Sequence, residues 1–199
     1  MKTGKNTADR VLIILLKESF AIHTATSIAK SLNITRQGIW KTLNKLAENN
    51  LINLEHVGNA KTSTATIKLN WSNPITEKTF SLLLTEESLK QKRWRVNFAE
   101  LENNVSFAIL FGSILNNQKE ANDIDILAVV NKKKFKLVEE ITAKVQQAQL
   151  KKIHLVDLTE IEFSQELKKP NKAYIDAVKK GVILYGQDNF IQFIRGLQE

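Results

Sequence analysis

In FAILFGSILNNQKEANDIDILAVV, residues Phe107 to Val130, an apolar run breaks at a Gly-Ser pair and a second run opens on two aspartates. Phe107, Ala108, Ile109, Leu110 and Phe111 read as a buried strand, stopped by Gly112 and Ser113. After a polar turn, Asp123-Ile124-Asp125-Ile126 starts a second strand that continues through Val130. Side chains alternate across a strand, so Asp123 and Asp125 share one face with Cα atoms about 7 Å apart, and Ile124 and Ile126 face the core. At an effective dielectric near 20, two carboxylates about 6 Å apart repel by roughly 3 kcal/mol. A divalent cation between them reverses that sign, and an all-oxygen ligand set suits Mg²⁺ or Mn²⁺.

The same stretch offers a seat for phosphate. A Gly-Ser turn leaving a strand lets backbone N–H groups approach an anion, the Ser113 hydroxyl adds a donor, and a helix starting there would add its positive end. A metal-holding aspartate pair beside a phosphate cradle is equipment for nucleotidyl transfer. Gly112-Ser113, nine intervening residues and Asp123-Ile124-Asp125-Ile126 resemble the signature of the DNA polymerase β-type nucleotidyltransferase superfamily, in particular its minimal nucleotidyltransferases. The resemblance extends from about Val105 to Gly186 and includes the tail from Ala177 to Gly186. It implies a third carboxylate on a later strand, and Asp157 in Ile153-His-Leu-Val-Asp-Leu158 is in that setting. It further implies Asp123, Asp125 and Asp157 as catalytic metal ligands, Gly112 and Ser113 as nucleotide-binding residues, and a nucleoside triphosphate as substrate or ligand. Minimal members usually carry an arginine just after the Gly-Ser, whereas this chain has Ile114, Leu115, Asn116 and Asn117.

Composition bounds the alternatives. The 199 residues suffice for two modest domains, and without cysteine neither disulfides nor thiolate sites are available. The apolar run Val11 to Leu16 is too short for a signal segment or a membrane span, so a soluble cytoplasmic protein without a membrane partner is expected. Net charge is +8, and the excess is N-terminal. Residues 1–73 hold ten Lys/Arg against four Asp/Glu, residues 74–104 five against five, and residues 105–199 fourteen against twelve. A basic end is where a nucleic-acid footprint is expected.

That end reads as three helices and a hairpin. Thr7 to Phe20 carries Leu12, Leu15, Leu16 and Phe20 on one face; a second helix follows Thr24, and a third starts at Thr35 with Ile39, Leu43 and Leu46 inward. Leu51 to His56 and Thr64 to Leu69 are strand-like, joined around Gly58-Asn59. This is the order of a winged helix-turn-helix, and Thr35 to Lys41 resembles the recognition helix of winged-helix transcriptional repressors. The resemblance implies double-stranded DNA as partner, with the start of that helix in the major groove. Thr35 sits at that start, and Arg36, Gln37, Trp40, Lys41, Asn44 and Lys45 lie off the core face, with Lys61 at the hairpin tip within reach of a phosphate. Arg and Gln suit base edges and the lysines suit phosphates; ordinary solvated positions are the alternative, and Trp40 alternatively packs under the wing or at a dimer contact.

Trp71-Ser-Asn-Pro74 punctuates the chain. From Ile75 to about Asn103 the pattern is helical with a break expected near Thr85-Glu86-Glu87, and these helices, or the winged domain, offer surface for a homodimer. Asn131 to Gln149 reads as a helix whose Lys132-Lys133-Lys134 start is a solvated one, with contact to a nucleotide's phosphates as the alternative. His154, three positions before Asp157, goes to the opposite face of its strand and reads as a hydrogen-bonded structural residue, with a ligand or base as the alternative. Helices at Thr159 to Lys168 and Asn171 to Lys180, a strand at Val182 to Tyr185 and a closing helix to Arg195 complete the chain, with Tyr174 and Tyr185 as packing residues.

The expected architecture is α+β in two domains: a winged helix-turn-helix (1–73), a helical connector (74–104) and a polymerase β-like nucleotidyltransferase domain with a mixed sheet (105–199). Two functions follow. One is a DNA-binding protein whose metal-dependent domain transfers a nucleoside monophosphate to an unidentified acceptor. The other is a transcriptional regulator whose nucleotidyltransferase-like domain only binds nucleotide or is inactive, which the missing arginine favours. Transfer depends on Asp157 lying beside Asp123 and Asp125; with Asp157 elsewhere the catalytic expectation collapses.

Overall fold

A computed structural model describes residues 6–57, 64–169 and 172–198, and the chain divides into two compact units, Met1–Leu83 with Gln198–Glu199 and Leu84–Leu197. In the first unit, α1 (Thr7–Lys17) opens on a capping box in which Asn6 and Asp9 each accept the other's backbone N–H. Such reciprocal bonds satisfy donors that a first helical turn leaves open. A two-residue strand, β1 (His23–Thr24), which sequence patterning misses, leads into α2 (Ala25–Leu32). α2 stops at Asn33, whose left-handed backbone (φ 54°) asparagine tolerates better than most residues. α3 (Arg36–Glu48) starts where Thr35 Oγ1 accepts the Gly38 N–H at 3.2 Å. Val11, Leu15 and Leu16 of α1, Ile28 of α2, and Ile39 and Leu43 of α3 are all buried.

β2 (Ile52–Val57) and β3 (Thr64–Leu69) form an antiparallel hairpin in which Leu54 faces Ile67, and β1 pairs with the other edge of β3. Three helices with a β1-β3-β2 sheet make a winged helix-turn-helix. The hairpin tip that carries Lys61 lies outside the described residues.

The boundary between the units falls inside α4 (Pro74–Leu89). Asn73 Oδ1 accepts the Ile75 N–H at 3.0 Å at its start. The helix runs unbroken through Thr85-Glu86-Glu87, where a break was expected, because none of these residues removes a donor or forces a left-handed backbone; it ends at Leu89. α5 (Lys92–Asn97) follows, then a short 3₁₀ turn, Ala99–Leu101. Trp94, Phe98 and Leu101 belong to the same buried cluster as Ala108, Leu110 and Ile126. The second half of the expected connector is therefore part of the second unit's core.

That unit is built on a mixed four-stranded sheet, ordered β6-β5-β4-β7. β4 (Phe107–Phe111) pairs antiparallel with both β5 (Asp123–Val129) and β7 (Val182–Tyr185). β5 pairs parallel with β6 (Lys152–Leu158), the two being joined through a 3₁₀ turn over Lys132–Lys134 and α6 (Phe135–Gln147). Ile124, Ile126 and Ala128 cluster with Val138 and Ile141 of α6 on one face. On the other, the Phe107 ring lies 6.0 Å from that of Phe163 in α7 (Glu160–Lys168). It also lies 5.4 Å from each of Phe190 and Phe193 in α9 (Gln187–Gly196). Burial on both faces explains the nearly continuous apolar reading of β4 and β5. α8 (Lys172–Lys180) precedes β7. Tyr174 edges onto Phe163, and Tyr185 is buried with its hydroxyl donating to the Arg95 carbonyl, both as packing residues.

Gly186 turns the chain from β7 into α9 at φ +72°, and a Cβ there would sit 2.0 Å from the Ser106 carbonyl oxygen. Among the described residues no helix is long and apolar enough to cross a membrane.

Candidate functional site

The alternation of β5 fixes the start of the site. Ile124 and Ile126 are fully buried on the α6 face, so Asp123 and Asp125 emerge together on the opposite face, both partly exposed. What joins them depends on the β5–β6 register. Asp123 stands beside Lys152, Asp125 beside His154 and Ala128 beside Asp157. In a parallel pair, neighbours in register share a face, so His154 falls in with the two aspartates. Its Nδ1 lies 3.4 Å from Asp123 Oδ2 and 3.5 Å from Asp125 Oδ1, and the three residues offer ligand atoms all within 4.8 Å of one another.

Asp157 is not part of this cluster. It shares its parity with Ile153 and Leu155, which face the core cluster on the α6 side, and it lies three residues, about 10 Å, farther along the strand than His154. The sequence expectation of three converging carboxylates is thereby corrected to two carboxylates and an imidazole. The expected structural role of His154 is corrected with it. A parity check could have shown this: if Ile153 and Leu155 face inward, the residue matching the aspartates is His154.

Gly112 ties the turn to the acids. Phe111 is the register partner of Asp125, so the chain leaves β4 directly over that carboxylate. Gly112 takes φ +83°, and a Cβ on it would come within 2.1 Å of Asp125 Oδ2. Ser113 is exposed beside it and begins a 3₁₀ turn of three residues, Ser113–Leu115, so no α-helix dipole reaches this point. Ile114 after it is buried, which leaves Lys152, exposed next to Asp123, as the cation that the sheet register brings to this face.

Electrostatics favour a bound cation. Burial, then the neighbouring Asp123 carboxylate, hold the Asp125 pKa above its ordinary value, while His154 pulls it back through a hydrogen bond and its charge. The loop before β5 is pinned by Lys151, whose ammonium donates to the carbonyls of Lys119 (3.3 Å) and Ala121. Sequence reading assigned Lys151 no role. Lys132, Lys133 and Lys134 lie past the far end of β5, capped by Asn131, and not beside the aspartates.

In the first unit, Thr35, Arg36, Gln37, Lys41, Asn44 and Lys45 are all exposed, and Trp40 is half-buried. The positions 36, 40 and 44 together with 37, 41 and 45 follow helical spacing, so they form one continuous strip opposite Ile39, Leu43 and Leu46.

Residues 96–190 match the family described as Polymerase beta, Nucleotidyltransferase. No curated protein matches the chain. Among solved structures, the adhesin competence repressor of Streptococcus pyogenes aligns with 74% of this chain and 83% of its own, at 16% identity and a TM-score of 0.34. A ZitR mutant from Lactococcus lactis aligns with 75% of this chain and 79% of its own, at 17% identity and a TM-score of 0.34.

Proposed function

We propose that the chain is a DNA-binding regulator whose nucleotidyltransferase-fold domain takes up a nucleoside triphosphate together with a divalent ion. The observation that carries this reading is the pairing of Asp123 and Asp125 with His154 instead of Asp157. Two carboxylates and one imidazole suffice to hold one ion, and the ion supplies positive charge to phosphate oxygens when bound. The exposed Gly112-Ser113 turn over Asp125 and the Lys152 side chain flank the position a triphosphate would take. A second ion, as in-line displacement between two metals uses, would be left short of a carboxylate ligand. Binding without transfer is therefore favoured over transfer.

DNA recognition is proposed for the α3 strip. Arg36 and Gln37 lie in the first turn, where a recognition helix meets base edges, and Lys41 and Lys45 follow on the same side. The exposure of this strip, together with the basic balance of residues 1–73, supports the assignment.

Transfer of a nucleoside monophosphate is the second reading, favoured by one specific observation: the β5–β6 register sets the His154 imidazole, a side chain type able to take up a proton, beside Asp125. Its Nδ1 is already within 3.5 Å of Asp125.

The test is calorimetric titration of the full chain with ATP, CTP and GTP, each with and without Mn²⁺. Saturable binding of at least one nucleotide that requires the ion and disappears in Asp125→Asn is expected. Absence of ion-dependent binding to any of them would overturn the reading. Pyrophosphate release that depends on Asp125 would put transfer ahead of binding alone.

A further inference from the structure

We infer that the cluster of Asp123, Asp125 and His154 selects a first-row transition ion such as Mn²⁺ or Co²⁺ over Mg²⁺, and that His154 is the residue that sets this choice. The inference rests on the proposed metal site and concerns which ion that site takes. Sequence reading of an all-carboxylate set pointed to hard, oxygen-loving ions. The side chains brought together by the β5–β6 register offer a different set, because one donor is an imidazole nitrogen.

The two His154 distances fit a common ion with either aspartate. Two ligands each about 2.1 Å from a metal lie about 3.0 Å apart at a right angle and about 3.4 Å apart at a tetrahedral angle. The His154 Nδ1 separations of 3.4 Å and 3.5 Å fall at that spacing. Mg²⁺ dehydrates reluctantly, demands near-octahedral oxygen geometry and gains little from imidazole. Mn²⁺, Co²⁺ and Zn²⁺ accept a mixed nitrogen and oxygen set, with affinity rising along the first row to copper. The chemistry of the donors, not the size of a cavity, makes the distinction.

The surroundings keep the His154 ring available to the site. The two aspartate contacts face its Nδ1, and 45% of its side chain is exposed, so exchanging it leaves the core untouched. Gly112 leaves no Cβ to displace the Asp125 carboxylate, as a longer residue would by approaching to 2.1 Å.

Any mixed site binds Co²⁺ more tightly than Mg²⁺ to some degree, so the ratio in the wild-type chain does not decide the matter; its dependence on His154 does. The experiment titrates the full chain and the variants His154→Asp, His154→Gln and Asp125→Asn with Mg²⁺, Mn²⁺ and Co²⁺ by calorimetry. Pulsed electron paramagnetic resonance of bound Mn²⁺ reports whether a nitrogen is coupled to it. Wild type is expected to bind Mn²⁺ and Co²⁺ at least tenfold more tightly than Mg²⁺ and to show nitrogen coupling. His154→Asp is expected to cut the Co²⁺ to Mg²⁺ ratio at least tenfold while tightening Mg²⁺, and to lose the coupling. His154→Gln is expected to weaken Mn²⁺ and Co²⁺ without that gain for Mg²⁺. An unchanged ratio in His154→Asp, or Mn²⁺ bound without nitrogen coupling, would overturn the selectivity while the metal site stands, provided Asp125→Asn still abolishes binding. No ion binding to the wild type, or binding indifferent to Asp125→Asn, would overturn the site and the selectivity together.

Discussion

Gly112 and Asp125 show how few atoms hold the candidate site in place. With φ at +83° and Asp125 Oδ2 within 2.1 Å of any Cβ, Gly112→Ala has to strain the backbone or push the carboxylate aside. A loss of about 1–3 kcal/mol in urea unfolding is expected from holding a side chain in that region, together with weakened ion binding. Asp125→Asn runs the opposite way on stability. Desolvation and Asp123 both disfavour the charged Asp125, so its raised pKa means that the folded state binds the proton more tightly than the unfolded state. Its charge therefore opposes folding above the ordinary carboxylate range, and that opposition fades as pH falls. In chelator at neutral pH, Asp125→Asn is expected to melt at a higher temperature than wild type while binding no ion. The aspartate pair was legible in sequence because strand alternation is a local property. The third member of the cluster was not, since Asp157 and His154 differ in parity and in position along β6, and the β5–β6 register is set by packing two strands far apart in sequence. The apolar setting around Asp157 suggested a site where the register places a neighbour of the core.

At the scale of single elements, caps and breaks carry most of what sequence could tell. α7 is the clearest case: Thr159 Oγ1 accepts the Glu162 N–H at 3.2 Å, while Glu162 Oε2 accepts the Thr159 N–H at 2.9 Å and its hydroxyl at 2.7 Å. Thr159→Ala is expected to cost about 1 kcal/mol in urea unfolding. The Thr159 backbone and side-chain hydrogen bonds hold the Glu162 pKa below its ordinary value. A depressed carboxylate pKa contributes stability that is complete above the ordinary value and is lost as pH falls through the folded one. The stability difference between wild type and Glu162→Gln should accordingly be present at neutral pH and shrink on acidification, as measured by unfolding at a series of pH values. The starts of α1, α2, α3 and α7 were readable for this reason, their capping residues being local signals. β1 was not, because a two-residue strand has no period and exists only through its pairing with β3. The expected break in α4 failed for a related reason: Thr85-Glu86-Glu87 interrupts the apolar pattern without interrupting the backbone.

Across the whole chain, a winged helix-turn-helix with a basic balance and a segment that matches the Polymerase beta, Nucleotidyltransferase family are joined in one polypeptide, and the two proposed ligands are both anionic. Fold class was legible at this scale for two different reasons: three helices and a hairpin in order read as a winged helix-turn-helix, whereas the mixed sheet of the second unit was expected from the resemblance of Gly112-Ser113 and Asp123-x-Asp125 to a family signature. DNA binding through α3 should fall steeply with salt, and Lys41→Ala should lower the slope of log affinity against log salt by about 1 while weakening all sequences alike. Arg36→Ala should instead relax sequence preference, at about 1–3 kcal/mol for the favoured base. The proposed metal site admits a sharper comparison, because the register sets His154 beside the aspartates and Asp157 away from them. Calorimetric titration of Mn²⁺ into Asp157→Asn and His154→Ala, side by side, is the most direct measurement. Asp157→Asn is expected to bind the ion as wild type does, and His154→Ala to lose at least tenfold in affinity. Loss of binding in Asp157→Asn with His154→Ala unaffected would contradict the site built here.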